Sequence, residues 1–432
     1  MNKKTFTEVL LNSELIRNTS ILISGTALAQ LIPILLQPVL RRLYFTPEVF
    51  GAYSVYLSII GILLVISSFR YEQAIILPKK DTEALNIFFL TVILNFAFNA
   101  VLLIVILIWK TKLSYYLNLP EAYSGYLYLV PLGTFLFNTH QSINFWLVRK
   151  KRFFAISLNK FIRRGFEGIS QVTLKMWTSS YGLIYGDIIG HFGNIISGFY
   201  QGSKSGMSVR LFSLNKIKYV LYKYSEYPKF NIVPSFMSAC SYLLPAIMIN
   251  KFFSAENTGY FDLAKLFLSI PLALIATSLS NVLLQRISEK KLAKLSIRSD
   301  LLYILLFVGI AMIFEVGIIL VWAEDIFRIF FGATWEFSGT ISRILVWAFA
   351  FNFIVSSFSS IYISLQRIKL LSIWQVTYFI AVLSLYYFSD SSFTVFLKAY
   401  VSIELICCLL STVFLIYIVV KYERSLKFAE NG

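Results

Sequence analysis

Val49 through Phe69 is a run of 21 residues without a single charge, and comparable runs recur along the whole chain. A helix rises ~1.5 Å per residue, so each run is long enough to cross the ~30 Å of hydrocarbon in a bilayer. Lipid offers no water to pair with exposed N–H and C=O groups, and a helix satisfies those groups within itself. Composition agrees: the chain is 57% hydrophobic and 14% charged, with a mean hydropathy of +0.71, whereas a soluble domain is roughly a quarter charged. The expected fold class is therefore an all-α polytopic membrane protein.

Twelve spans are expected, at 18–40, 49–69, 85–109, 122–147, 153–174, 181–201, 230–250, 261–284, 300–322, 341–364, 370–389 and 394–420. The fifth is unusually charged, with Lys160, Arg163, Arg164 and Glu167, and the twelfth holds Lys398 and Glu404. The first apolar run is longer than a signal-peptide core and no small-residue cleavage site follows it, so it reads as a retained span. Thr5 to Ile16 would lie before it as a short helix at the interface.

Net charge is +17. In so apolar a chain that excess points to membrane topology and anionic lipid headgroups, not to nucleic acid. With the N-terminus inside, the inward loops collect the Lys and Arg clusters around Arg70, Arg149, Lys216, Arg286, Arg367 and Lys421. The outward loops hold little beyond Arg41, Arg42, Lys110, Lys112, Lys175, Lys251 and Arg328. The inner loops carry about three times as many basic residues, which places both termini in the cytoplasm and supports an even number of spans. The three cysteines, Cys240, Cys407 and Cys408, sit inside apolar runs and match no disulfide or zinc spacing.

The longest polar stretch, Gly202 to Lys229, lies mid-chain and reads as a cytoplasmic linker. Its second half, KIKYVLYKYSEYPKF, interleaves lysine with tyrosine, as an interfacial segment under anionic lipid would. The expected domains are residues 1–203, a basic linker at 204–229, and residues 230–432. A repeat supports the division: YFTPEVFGAYS from Tyr44 and FFSAENTGYFD from Phe252 share an aromatic pair, a hydroxyl, a glutamate and a glycine in register. Two six-helix lobes inserted the same way up would then flank a central cavity.

The sequence holds no phosphate-binding loop and no metal constellation, and no cofactor or enzymatic activity is expected. What remains is charge inside the membrane, which is costly and marks functional sites. Arg163 and Glu167 lie four apart and are placed to pair; Lys160 and Arg164 share a face that is either a cationic cavity wall or a pair of snorkelling side chains. In the sixth span, Gly182, Gly186 and Gly190 form a tandem G-x-x-x-G packing face, with Asp187 and His191 beside it as a proton relay or a polar contact. Asp262 and Lys265 lie three apart, while Glu315 and Glu404 are lone acids deep in their helices.

Five stretches carry a resemblance: PVLRRLYFTPEVFGAYS, RYEQAIILP, GLIYGDIIG, the segment YPKFNIVPSFMSACSYLLPAIMINKFFSAENTGYFDLAKLFLSIP, and FGATWEFSG. The chain resembles the oligosaccharide flippases of the Wzx type, in the polysaccharide transporter branch of the MATE-like MOP superfamily. The resemblance implies an undecaprenyl-pyrophosphate-linked oligosaccharide, carried from the cytoplasmic to the periplasmic leaflet of a bacterial inner membrane for O-antigen, capsule or exopolysaccharide synthesis. It implies alternating access coupled to H+ or Na+, surrounding membrane lipids, and a polymerase and chain-length regulator as pathway partners. A pyrophosphate needs cations, and the supply is Arg17, Arg41, Arg42, Arg70, Lys160, Arg163, Arg164, Lys251 and Lys265. The gating or ion-coupling candidates are Glu72, Glu167, Asp187, His191, Asp262, Glu315 and Glu404. A drug extruder of the same fold would favour an acidic or apolar cavity, and a polysaccharide polymerase would need a long periplasmic loop.

The turn after the second span, FRYEQAIILPKKDTEAL, divides in two. Lys79 and Lys80 are topology anchors, Asp81 and Thr82 are placed to cap the third helix, and Glu83 complements its N-terminal dipole. Arg70 and Glu72 come directly off the second span and read as a pair at the inner mouth of the cavity.

Overall fold

The computed structural model describes residues 29–175 and 181–430. Arg17, the proposed interfacial helix and most of the first span lie outside the described residues. Among those described there is no β-strand, and the chain is helical almost throughout.

In the first half, helix α1 (29–39) ends in a π-helical turn, Leu40–Tyr44. Then come α2 (Pro47–Ser67), a 3-10 turn (Tyr71–Ile76), α3 (Asp81–Leu117), α4 (Tyr126–Arg149), α5 (Phe153–Leu174) and α6 (Gly182–Lys204). A short helix, α7 (Leu214–Lys223), and α8 (Glu226–Phe252) follow. The second half holds α9 (Ala255–Leu292), α10 (Arg298–Phe331), α11 (Glu336–Phe358), α12 (Ser360–Ser364), α13 (Ile368–Leu383) and α14 (Phe393–Glu430). Every expected span from the second to the twelfth coincides with a helix, and eight helical segments are long and apolar enough to cross a membrane.

Several helices outrun their apolar stretches. The 38 residues of α9 extend ~57 Å, well beyond a bilayer's hydrocarbon, and its surplus is the charged turn from Gln285 to Lys291. Local chemistry sets the ends. The two copies of the repeat do the same job, because Thr46 and Ser254 each stand immediately before a helix. Pro47 opens α2, while the Ser254 hydroxyl accepts the Asn257 N–H at 3.0 Å to cap α9. At α3 the capping expectation is corrected. Lys80 occupies the cap position, and Asp81 instead receives Arg149 and Lys150, while Glu83 is bonded by Lys223 and Tyr224.

The chain forms two compact units, one ending at Ala239 and one beginning at Cys240. In the first, Tyr71, Leu85, Phe88, Trp146, Ile156 and Val220 share one core. The linker is therefore part of this unit: Val220 is fully buried, and Asn86 donates to Leu211 O at 3.0 Å and accepts from Ser213 N at 2.9 Å. The opposite face of α7 keeps Leu214, Tyr219 and Tyr222 exposed beside Lys216 and Lys218. In the second unit Phe261, Leu268, Ile319, Leu345, Val382 and Phe396 pack together. Large apolar side chains such as Phe96, Leu107, Ile310 and Phe314 stay exposed, as lipid-facing positions should.

Candidate functional site

Helices α5 and α6 pack almost backbone to backbone, and the glycine face of α6 is the reason. A Cβ on Gly190 would stand 2.9 Å from Arg163 O and 2.8 Å from Glu167 Cβ; on Gly186 it would stand 3.1 Å from Glu167 O. Only glycine permits that approach. It brings the charged face of α5 against Asp187 of α6, where a buried ionic cluster forms. Arg163 Nη2 lies 3.3 Å from Asp187 Oδ1, and Arg164 Nη1 donates to both oxygens of Glu167, at 2.8 and 3.1 Å. The expected Arg163–Glu167 contact is present but long, at 3.9 Å. The shorter partner of Glu167 is Arg164, three residues away, and Arg163 spends its guanidinium on the neighbouring helix. Two arginines and two carboxylates thus meet with no net charge.

His191 Nε2 is 3.6 Å from Asp187 Oδ1, beyond hydrogen-bonding distance, so no closed relay joins them. Its ring lies against Phe137 and His140 of α4, with centroids 4.9 and 5.1 Å away. Arg163 sits over Phe137, 5.4 Å from its centroid. Arg163 Nε, His191 Nδ1 and the Tyr56 hydroxyl are buried without hydrogen-bond partners among the described residues. Sequence reasoning missed His140, Phe137 and Tyr56; the polar stretch NTHQS inside an apolar helix was the available signal.

A second network lies at the turn after α2. Phe69 and Arg70 adopt left-handed backbone, with φ of 54° and 63°, which folds the chain back into the 3-10 turn. Glu72 is fully buried there and accepts from Ser68, while Arg70 Nη1 lies 3.6 Å from its other oxygen. Burial pushes the Glu72 carboxyl above its ordinary pKa. Asn138 of α4 donates to Ser67 and Ser68, both at 3.0 Å. One turn of α4, from Phe137 to His140, therefore touches the ionic cluster on one side and the Arg70–Glu72 turn on the other. Arg149, lower on the same helix, holds the rest of the turn through Ile76 O at 3.1 Å, Lys79 O at 3.3 Å and Asp81 at 3.1 Å.

The remaining predicted residues are dispersed. Arg41 is buried, donates to Gln37 at 2.8 Å and lies 3.8 Å over the Phe50 ring; Arg42 and Lys251 are exposed. Lys160 and Asp262 are partly buried. Lys265 reaches Tyr242, donating to its carbonyl at 2.7 Å and sitting 3.4 Å over its ring. Glu404 accepts hydrogen bonds from Tyr378 and Tyr400. Glu315 on α10 has a buried carboxylate oxygen with no hydrogen-bond partner among the described residues. Among the described residues no group of His, Cys, Asp and Glu could hold a metal ion.

Long apolar helices enclosing paired charges have the fold of the MOP superfamily transporters. The chain is similar to an inward-facing multidrug resistance MATE family transporter of that superfamily, with a TM-score of 0.71 at 14% identity, covering 93% of this chain and 95% of that one. It is similar to the lipid II flippase MurJ in an inward closed conformation, with a TM-score of 0.67 at 15% identity over 94% and 91% of the two chains. A MOP superfamily transporter from Pyrococcus furiosus, described by the reversed polarity of its binding pocket, gives 0.60 at 15% identity over 99% and 100%. No curated protein matches the sequence. The model of the polysaccharide biosynthesis protein family matches residues 39–340, and the chain belongs to that family.

Proposed function

We propose that this protein is a flippase that carries oligosaccharide repeat units on an undecaprenyl pyrophosphate carrier across the bacterial inner membrane, for polysaccharide synthesis. The observation that carries the reading is the pair Arg163–Arg164 on α5, the helix at the expected fifth span, in a chain of a polysaccharide biosynthesis family whose fold is shared with a lipid II flippase. Cations inside a membrane are costly unless an anion uses them. An arriving pyrophosphate competes with Glu167 for Arg164 and with Asp187 for Arg163, with Arg70 meeting the carrier first at the cytoplasmic mouth, and inward movement of H+ or Na+ in exchange supplies the energy. The basic inner loops support a reading with both termini in the cytoplasm.

The test is genetic and biochemical. Arg164→Ala, with expression intact, should leave lipid-linked repeat units in the inner leaflet and reduce surface polysaccharide, while Arg164→Lys retains part of the activity. A deletion strain that still makes full-length polysaccharide would refute the function. Normal polysaccharide with Arg164→Ala would refute the role of the cluster.

A further inference from the structure

The second unit holds a half-open cavity of about 440 Å³ whose lining residues all belong to that unit, mainly from α8, α9, α11, α13 and α14. Its walls are unlike a lipid-binding groove. Helix α9 presents Thr277 and Asn281 to it, one turn apart, and α11 presents Asn352. Ser356 donates to Asn352 Oδ1 at 2.9 Å, and the Asn352 amide N–H groups make no hydrogen bond among the described residues. Asn281 makes no side-chain hydrogen bond among the described residues. Pro271 sits within α9 beside the cavity and removes one helical N–H. The serine and threonine hydroxyls of the wall donate within the protein, Thr277 to Ala273 O at 2.7 Å and Ser359 to Ser356 O at 2.8 Å, so the amides of Asn281 and Asn352 are left as donors for an occupant, and the hydroxyl oxygens remain as acceptors.

The charge pattern narrows the occupant. No Lys, Arg or His lines the cavity to hold a phosphate, and the single acidic side chain in the wall is Glu404. It already accepts from Tyr378 and Tyr400 and has Lys265 as an electrostatic neighbour, so a metal cation finds no further acid to complete its shell. What the walls offer is hydroxyls, amides and a carboxylate acceptor, with the rings of Tyr242, Phe349 and Tyr378 as flat apolar surfaces. Trp374 stacks on Tyr378 from behind, 5.5 Å away and nearly parallel, and fixes that ring. Hydroxyls and amides around ring faces recognise an uncharged sugar, and the volume suits one or two sugar rings.

We infer that this cavity is a carbohydrate subsite that takes an uncharged, hydroxyl- or acetamido-bearing part of the glycan. The inference rests on the flippase reading for the origin of the sugar, but it is tested by binding alone. Saturation-transfer NMR on the full-length protein in nanodiscs uses N,N′-diacetylchitobiose and maltose as probes. The wild type should transfer saturation to the ring protons of at least one of them. The signal should fall fivefold or more in Asn352→Leu and in Thr277→Trp, which fills the cavity. Glu404→Gln, which keeps the shape and hydrogen-bonding capacity, should weaken binding less than either. Absence of signal for both sugars overturns the subsite, and so does equal signal in wild type and both cavity variants. Sodium ions, and neither sugar, raising the thermal stability of the wild type would show a cation site instead and also overturn it. Sugar binding by a protein that moves no lipid-linked oligosaccharide in vesicles would refute the flippase reading and leave the subsite standing.

Discussion

Glu167→Gln is the most informative single change in the ionic cluster. It removes one charge and keeps the side-chain shape. The wild-type carboxylate accepts two bonds from Arg164, at 2.8 and 3.1 Å, and faces Arg163 at 3.9 Å. Breaking a buried pair from one side costs about 3–5 kcal/mol, because the partner charge is left uncompensated. The glutamine carbonyl still accepts one bond from Arg164, which offsets about 1–1.5 kcal/mol. The net loss should be about 2–3 kcal/mol, a fall in the unfolding midpoint of about 2–3 °C for a chain of this length. Fluorescence-monitored thermal unfolding of the purified protein measures it. The decisive comparison is the double variant with Arg164→Gln. Because that change removes the stranded charge, the double variant should be less destabilised than the sum of the singles by about 2 kcal/mol. Additivity within about 0.5 kcal/mol would refute the pairing.

Three further outcomes follow from the geometry. Gly190→Val should separate α5 from α6 and abolish accumulation of folded protein, whereas Gly309→Ala, where a Cβ meets nothing within 4 Å, should be neutral; both are read by size-exclusion of a fluorescent fusion. Tyr71→Phe loses the 2.8 Å bond to Leu221 O, and with it about 1 kcal/mol of linker docking; limited trypsinolysis at the exposed Lys216 and Lys218 should speed up severalfold. Glu72 titrates higher in the folded protein than in the unfolded chain, so its charged form opposes folding above the ordinary carboxyl pKa of 4.5. Glu72→Gln should therefore gain stability relative to wild type as pH rises from that value, and lose the advantage below it. A difference that does not change with pH would contradict the burial of this carboxyl.

Much of the fold was legible because hydrocarbon imposes a length on every span. Eleven expected spans have helices where they should, and the fifth matches residue for residue at 153–174 despite its charges. The glycine ladder of the sixth span was equally readable, since four-residue spacing puts all three glycines on one face. The partners of the site were not. Arg163 and Glu167 have the spacing of a helical pair, yet the pairing shifted because Asp187, on another helix, competes for Arg163. Nothing in the sequence pairs Asn138 with Ser67 and Ser68, about seventy positions away, and only the packing of α4 on α2 brings them together. Tyr378 and Tyr400 were likewise silent, because a tyrosine in an apolar run reads as membrane filler until a buried acid is found beside it. The linker was read as an interfacial segment, and its exposed face keeps that character, but the single apolar position that docks it, Val220, had no periodic signal to mark it.

That docking bears on how the protein is made. Synthesis proceeds from the N-terminus, and the core of the first unit stays open until Val220 has emerged and α7 can close over Leu85 and Trp146. A chain cut after the sixth membrane helix would carry all of that unit's predicted spans and still lack the plug of its core, with Asn86 and Glu83 facing empty positions. The linker is thus a late step in completing the first unit, followed only by the start of α8. A chain ending at residue 239 carries the docked linker, and one ending at 203 lacks the residue that fills the core of this unit.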